Sequence, residues 1–364
     1  MSMLLNEIPW GQPLLPEAPD SNWESEVKRR GGHVSEVDRR IAQSPWLREA
    51  ALSLTTYQVV AMPQRLFHIG AMVTAQENAC RYCYGANRAY LKILGYSEDF
   101  IHRIERDVHV AELDEKERAA IAFCRNLARS RPRPSREACD KLVNLGYSRL
   151  AVNEIAFSIS MGCFYNRLST FMACPPERGF ERMANGPLGR IMGLAMPLLS
   201  WFKRSVSTAA RASALDAQAL APSRFAPILL PLAGLPAARI MRDALEGIFA
   251  SNVLGRATKA LMFATVARTM GCTLCETWAT DMLLEDGMPA QEIASALAHL
   301  QSDRLPASEA GLLPWTRGTV YYDIAKIQQD TRQLGAAIGE RALLEAIGVA
   351  ALANATVRLA MLHE

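Results

Sequence analysis

The sequence has little net charge: 40 Lys and Arg against 37 Asp and Glu leave a formal +3, with the basic residues scattered along the chain. Proteins that track nucleic-acid phosphates concentrate basic charge in a patch or stripe, so no nucleic-acid partner is expected. Long apolar runs are scarce as well. The longest, 191–202 and 225–241, are interrupted by Pro197 and by Pro227, Pro231 and Pro236. Neither supplies the roughly 20 uninterrupted apolar residues of a membrane span, and the Trp201-Phe202-Lys203-Arg204 end reads as part of a buried interface helix before a membrane contact. The N-terminus, MSMLLNEIPWGQPLLPEAPD, has no basic start, apolar stretch or small-residue cleavage site of the secretory type. A cytoplasmic location is therefore expected.

Strand patterning is also missing. The β-branched pairs Thr55-Thr56, Val59-Val60 and Thr319-Val320 are short and isolated, too little to build hairpins. Good helix formers abound instead, and stretches such as Glu112 to Phe123 place an acidic opening before apolar residues at three- and four-residue steps, the pattern of an amphipathic helix. Gly95, Pro132 with Pro134, and Gly146 stand where helices should stop. The fold class expected is all-α. With 364 residues and 50% hydrophobic composition, the chain suits roughly two domains. Pro175-Pro176 and the Gly179, Gly186, Pro187 and Gly189 cluster set a boundary near 180–225, and the domains are drawn as 1–183 and 184–364.

Eight cysteines stand at 80, 83, 124, 139, 163, 174, 272 and 275. A structural disulfide set is not expected in a cytosolic protein. Four of them make two C-x-x-C pairs, Cys80-Arg81-Tyr82-Cys83 and Cys272-Thr273-Leu274-Cys275, spaced by 192 residues, and each leads into a similar helical pattern. Arg167-Leu168 and Arg358-Leu359 echo one another at nearly the same spacing. The reading is a tandem duplication.

On one continuous helix, Glu77, Cys80, Cys83, Tyr84 and Asn87 would share an arc of about 120°. Two thiols near a helix start can close a disulfide, and a thiolate there is stabilised by unpaired N–H groups. In this arrangement Glu77 accepts a proton from a thiol, while Tyr84 and Asn87 hold a peroxide oxygen or a water. Simple core packing of the two sulfurs is the bland alternative. A four-thiolate zinc site from both pairs is another, and it needs helices of both halves to converge. Haem attachment is disfavoured, because Tyr84 and Glu276 stand where His is required.

The run Glu77-Asn78-Ala79-Cys80-Arg81-Tyr82-Cys83-Tyr84-Gly85-Ala86-Asn87, with the 114–127 helix, the Gly146-Tyr147-Ser148 turn and the 155–168 helix, resembles the carboxymuconolactone decarboxylase and alkylhydroperoxidase D family. The resemblance is stronger around 41–174 and weaker around 236–362. It implies two alkylhydroperoxidase D-like helical domains, cysteine-based peroxidase or disulfide-reductase chemistry in many members, decarboxylase or lactone chemistry in others, and assembly into a homo-oligomer. It makes Cys83 the peroxide-attacking thiol and Cys80 its resolving partner. Where peroxidase members carry a His four residues after the second Cys this chain has Asn87, and where they carry a Glu twelve residues before the first Cys it has His68. His68 with Glu77 is the candidate substitute acid–base pair. In the second half Ala279 and Ala260 fill those two positions. Glu276 beside Cys275 should raise that thiol's pKa, so Cys272 and Cys275 are a possible second redox pair in a mainly structural half.

The function expected is a thiol-dependent, peroxiredoxin-type oxidoreductase. It would reduce hydroperoxides without a metal or an organic cofactor and be recycled by an unidentified thiol reductant protein. The alternatives are a decarboxylase or lyase on a small acid using Glu77, His68 and Asn87, and a non-catalytic assembly protein.

Overall fold

Helix punctuation accounts for most of the architecture. Asp114 opens the Glu115–Arg129 helix through a capping box with Glu117, satisfying N–H groups that a helix start leaves unpaired. Gly95 and Gly146 follow the Arg81–Ile93 and Arg136–Asn144 helices with φ of 86° and 91°, the left-handed conformation glycine adopts at little cost. The computed structural model describes residues 8–19, 22–106, 113–131, 133–186 and 214–364. Among these residues it contains nineteen α-helices and no strand. The protein is all-α. The 191–202 apolar run, with its Trp201–Arg204 end, lies outside the described residues.

The order of helices recurs along the chain. Helices starting at 45, 64, 81, 98 and 149 have counterparts starting at 236, 256, 273, 290 and 340, a spacing of 191 or 192 residues. At the centre, the long helix Arg149–Phe171 packs along Glu340–Met361, and nearly every residue of both is buried. One hydrophobic core, from Leu15 to Leu362, is continuous across both halves. The apolar runs of the sequence do not single out the helix Glu340–Met361, since Glu345, Asn354 and Arg358 interrupt it. At 22 residues and a mean hydropathy of 1.5 it is long and apolar enough to cross a membrane, but 94% of its apolar window is buried inside the protein. Its apolarity is that of a core helix packed on both flanks.

Each long helix carries a buried glutamate one turn from its start, and the two are satisfied differently. Glu154 accepts hydrogen bonds from the Tyr57 hydroxyl at 2.6 Å and from the backbone N–H groups of Val60, Ala61 and Met62 at 2.6–2.7 Å. The first half thus folds its own 57–62 loop onto its own helix. Glu345 instead pairs with the buried Lys259 ammonium at 3.0 Å and accepts the Trp46 indole N–H at 2.8 Å. Trp46 reaches there because two glycines leave room for it: a Cβ on Gly247 would come within 2.9 Å of the Trp46 Cβ, and one on Gly348 within 2.8 Å of its ring. A side chain of the first half therefore completes the polar core of the second.

Glu154→Ala should cost about 3–5 kcal/mol, because four donors lose one acceptor and some stay buried without another. Glu154→Gln, which keeps a carbonyl oxygen, should cost less. Urea unfolding of the two variants checks the order.

Candidate functional site

The helix Gln64–Glu77 stops short of the first cysteine pair. Asn78 caps it, Ala79 takes a φ of 42°, and Cys80 is the N-cap of a new helix, Arg81–Ile93. A non-glycine residue at that φ is strained by about 1 kcal/mol or more. The break overturns the single-arc arrangement expected for Glu77, Cys80, Cys83, Tyr84 and Asn87. Glu77 belongs to the preceding helix and turns to the Glu115–Arg129 helix, pairing with Arg125 at 3.3 Å and with Arg129. It holds two arginines and is not aimed at a thiol.

The expectation of thiols at a helix start is met in detail. Cys80 Sγ accepts the Cys83 backbone N–H at 3.3 Å. Ser169, on the long helix Arg149–Phe171, sets its hydroxyl 3.2 Å from Cys80 Sγ and 3.3 Å from Cys83 Sγ. The same hydroxyl lies 2.9 Å from the Tyr165 carbonyl and 3.1 Å from the Asn166 carbonyl. Its single proton must therefore choose between a backbone acceptor and a sulfur. Both thiols are buried, Cys83 retaining 5% exposure and Cys80 none.

Burial opposes the Cys80 thiolate, but hydrogen bonds from the Cys83 thiol, the Ser169 hydroxyl, the Cys83 N–H and the Thr170 hydroxyl outweigh it, and Cys80 titrates below the usual thiol value of 9.0. Cys83 is pushed well above 9.0 by burial and by its hydrogen bond and charge interaction with Cys80. Of the two sulfurs, Cys80 is the one whose thiolate the surroundings favour. Burial drives Cys124 up to about 12 and Cys139 up to about 11, so those scattered thiols stay neutral and weakly nucleophilic.

The other expected residues lie apart from the sulfurs or face elsewhere. The Tyr84 hydroxyl donates to Glu105, which also binds Arg88 at 2.9 Å; burial and that carboxylate raise the phenol's pKa. Asn87 Nδ2 donates to the Ala71 carbonyl at 3.3 Å, tying two helices together. His68 stands edge-on to Tyr90 at 5.5 Å and Tyr96 at 6.3 Å, and Tyr90 lies about two turns beyond Cys83. Glu77 is thus turned to its two arginines and His68 packs among aromatic rings.

The groups that do surround the pair went unread in the sequence. Asn166, Ser169 and Thr170 come from the long helix, and Asn78 joins them by donating from Nδ2 to Asn166 Oδ1 at 3.0 Å. Arg167 donates to Asn78 Oδ1 at 3.2 Å, and its guanidinium lies 4.5 Å from the centre of the Tyr322 ring. Tyr322 comes from the other half, its hydroxyl 2.7 Å from Thr170 Oγ1 and 3.3 Å from the Asn166 carbonyl. One signal was present: a polar cluster, Asn166-Arg167-Leu168-Ser169-Thr170, inside an otherwise apolar helix, where uncompensated burial would be costly. Nothing local marks Tyr322.

The second pair repeats the geometry without the polar lining. Cys272 is the N-cap of Thr273–Glu285 and accepts the Cys275 N–H at 3.5 Å. Gly271 takes the left-handed position filled by Ala79 in the first half. At the spacing of Arg167 to Arg358, the residues matching Asn166, Ser169 and Thr170 are Val357, Ala360 and Met361. Cys275 is raised well above 9.0 by its hydrogen bond to Cys272, then by burial and the charges of Cys272 and Glu364. The expected cause, Glu276, is occupied by Arg268 at 2.7 Å. Among the described residues no three His, Cys, Asp or Glu side chains gather as metal ligands, so the two pairs do not converge on a shared four-thiolate site.

Comparison with known proteins finds a likeness over part of the chain: the model of the carboxymuconolactone decarboxylase family matches residues 236–317. That stretch runs from the Pro236–Ala250 helix through the second cysteine pair into Leu312–Tyr321. It falls in the half whose likeness the sequence reading ranked as weaker. No curated protein and no solved structure matches the chain.

Ser169→Ala should raise the Cys80 pKa by about one unit, since a hydrogen bond to a charged group contributes about 1.5–3 kcal/mol. A carbon-NMR titration of the Cys80 Cβ reads this directly. The thiolate fraction grows with pH, so in the variant the transition moves to higher pH and reactivity near neutrality falls roughly tenfold.

Proposed function

We propose that this chain, with its carboxymuconolactone decarboxylase family segment, is a thiol oxidoreductase whose working centre is the Cys80–Cys83 dithiol, and that it reduces small hydroperoxides. The observation that carries the reading is the shared Ser169 hydroxyl, which brings both sulfurs to one point and, with the Cys83 N–H, favours a thiolate on Cys80. The Cys80 thiolate attacks the distal peroxide oxygen and breaks the O–O bond. An alcohol leaves with one proton, and Cys80 becomes a sulfenic acid. The Cys83 thiol then displaces hydroxide from that sulfur; water leaves and a Cys80–Cys83 disulfide forms. Two electrons have passed from two thiols to one peroxide, and an external dithiol protein returns them by disulfide exchange.

A decarboxylase or lyase reading finds less support, because Glu77 is engaged by Arg125 and Arg129, Asn87 by the Ala71 carbonyl, and His68 by aromatic neighbours. The recurring helix order supports reading the two halves as a duplication in which the first kept the equipped thiol site. A cytoplasmic homo-oligomer remains part of the proposal.

Reduced protein treated with one equivalent of an organic hydroperoxide, with free thiols trapped at once, should yield a Cys80–Cys83 disulfide before Cys124, Cys139, Cys163, Cys174 or the second pair oxidises. In Cys83→Ser a sulfenic acid should accumulate at Cys80. Peptide mapping that finds both thiols free while peroxide persists would defeat the peroxidase reading. Glu77→Gln should leave peroxide consumption within about twofold and lower stability by about 1–2 kcal/mol, through loss of the arginine pairs; a collapse of the rate with stability intact would restore Glu77 to the chemistry.

A further inference from the structure

Two arginines meet at the centre of the molecule. Arg167 and Arg358 stand one repeat spacing apart in sequence, at matching positions of the long helices Arg149–Phe171 and Glu340–Met361, which pack along one another. Each residue is only 1% exposed. A guanidinium keeps its proton inside a protein, so two cations are enclosed here. Burial, and then the Arg167 charge, lower the Arg358 pKa to about 9, which still leaves it charged at neutral pH.

A run of polar contacts joins the two groups. Arg167 Nη1 donates to Asn78 Oδ1 at 3.2 Å, and Asn78 Nδ2 donates to Cys163 Sγ at 3.4 Å. Cys163 Sγ lies 4.0 Å from the Ala128 carbonyl oxygen, which accepts from Arg358 Nε at 3.4 Å. The remaining partners are uncharged as well. Arg167 has the Tyr322 ring at 4.5 Å, while Arg358 Nη1 donates to the Asn354 carbonyl at 2.8 Å and to Asn354 Oδ1 at 3.0 Å, with Met270 Sδ at 3.7 Å. Arg167 Nε is buried and has no hydrogen-bond partner among the described residues.

Buried charges are tolerated where a counter-charge offsets their desolvation, and amide and carbonyl oxygens offset it only in part. Mutual repulsion of the two guanidiniums adds to the deficit. A water molecule here would give Arg167 Nε a neutral acceptor and leave both charges uncompensated. A small anion meets both needs, because it accepts N–H groups from the two arginines and carries the missing charge. A monatomic anion fits best: it accepts from any direction and brings no extra oxygens that would need donors of their own in a closed core.

We propose that Arg167 and Arg358 form an internal anion site, where the two long helices pack, that takes one halide-sized inorganic anion, with chloride as its ordinary occupant. The anion is enclosed as the halves close during folding, and it binds the first half to the second through charge. The site is independent of the Cys80–Cys83 chemistry.

The test is urea unfolding of the full chain in sodium gluconate, with chloride substituted at constant ionic strength. Gluconate is too large for an enclosed site. Once chloride exceeds its dissociation constant, each tenfold rise should increase the folded-to-unfolded ratio about tenfold, as for one anion held by the folded chain alone. Arg167→Met and Arg358→Met, which keep apolar bulk without charge, should abolish that dependence. A ratio that stays constant across the chloride series overturns the site. So does a dependence that persists undiminished in the folded methionine variants, since that is a general salt effect. If those variants do not fold, crystals of the unaltered protein grown in bromide decide. An anomalous peak within hydrogen-bond reach of Arg167 Nε and the Arg358 guanidinium supports the site; bromide at the surface alone, an adventitious ion only, overturns it. No peroxide is used, so either result leaves the dithiol reading to its own test.

Discussion

Everything at the thiol site depends on the packing of two long helices, Arg149–Phe171 and Glu340–Met361, through the middle of the molecule. Their apolar residues supply the core, and their few polar residues are therefore buried and must be satisfied in place. Arg167 and Arg358 show how demanding this is, since among the described residues neither guanidinium has a carboxylate partner. Arg167 is held by Asn78 and the Tyr322 ring. Arg358 is held by the Asn354 carbonyl at 2.8 Å, by its side-chain oxygen at 3.0 Å and, across the halves, by the Ala128 carbonyl at 3.4 Å. Burial and the neighbouring Arg167 charge lower the Arg358 pKa to about 9. A core under this constraint fixes its polar side chains to narrow orientations, and Ser169 and Thr170 inherit that rigidity.

The same constraint separates the two cysteine pairs. Each sits at a helix N-cap with the first sulfur accepting the N–H three residues on, so local backbone geometry alone does not distinguish them. What differs is the opposing face of the long helix. Asn166, Ser169 and Thr170 face the first pair, whereas the corresponding residues at the repeat spacing are Val357, Ala360 and Met361. A buried thiolate needs donors to offset its desolvation, and of the two long helices Arg149–Phe171 is the one that places a hydroxyl, that of Ser169, against its pair. The strained φ of 42° at Ala79, against a glycine at 271, falls on the same side of this contrast: distortion is retained beside the better-equipped pair.

Much of the fold was legible because its signals are local. The Asp114 opening, the glycines at 95 and 146 and the repeat spacing lie within single segments of chain, and the structure places helix ends where they point. The position of Cys80 at a helix start was readable for the same reason. The set of partners around it was not. The projection that joined Glu77 to Asn87 assumed an unbroken helix, and one residue, Ala79, leaves helical conformation and sends Glu77 toward Arg125 and Arg129. Ser169 reaches the sulfurs, and Tyr322 reaches Thr170, across separations of 86 or more residues in sequence, through tertiary contacts that no window of the sequence contains.

The pattern of satisfaction also bears on whether either half could work alone. The first half holds its Glu154 with its own loop, yet its thiol site borrows Tyr322 and Gln328 from the second. The second half supplies Lys259 to Glu345 but borrows the Trp46 indole, admitted by Gly247 and Gly348. Each loan fills a buried polar requirement that the lender does not share. Separating the halves would expose the apolar faces of both long helices and leave Glu345 and Thr170 each short of a partner, and burial makes such losses expensive. The two halves are therefore mutually dependent, and the thiol chemistry proposed for the first is a property of the whole chain.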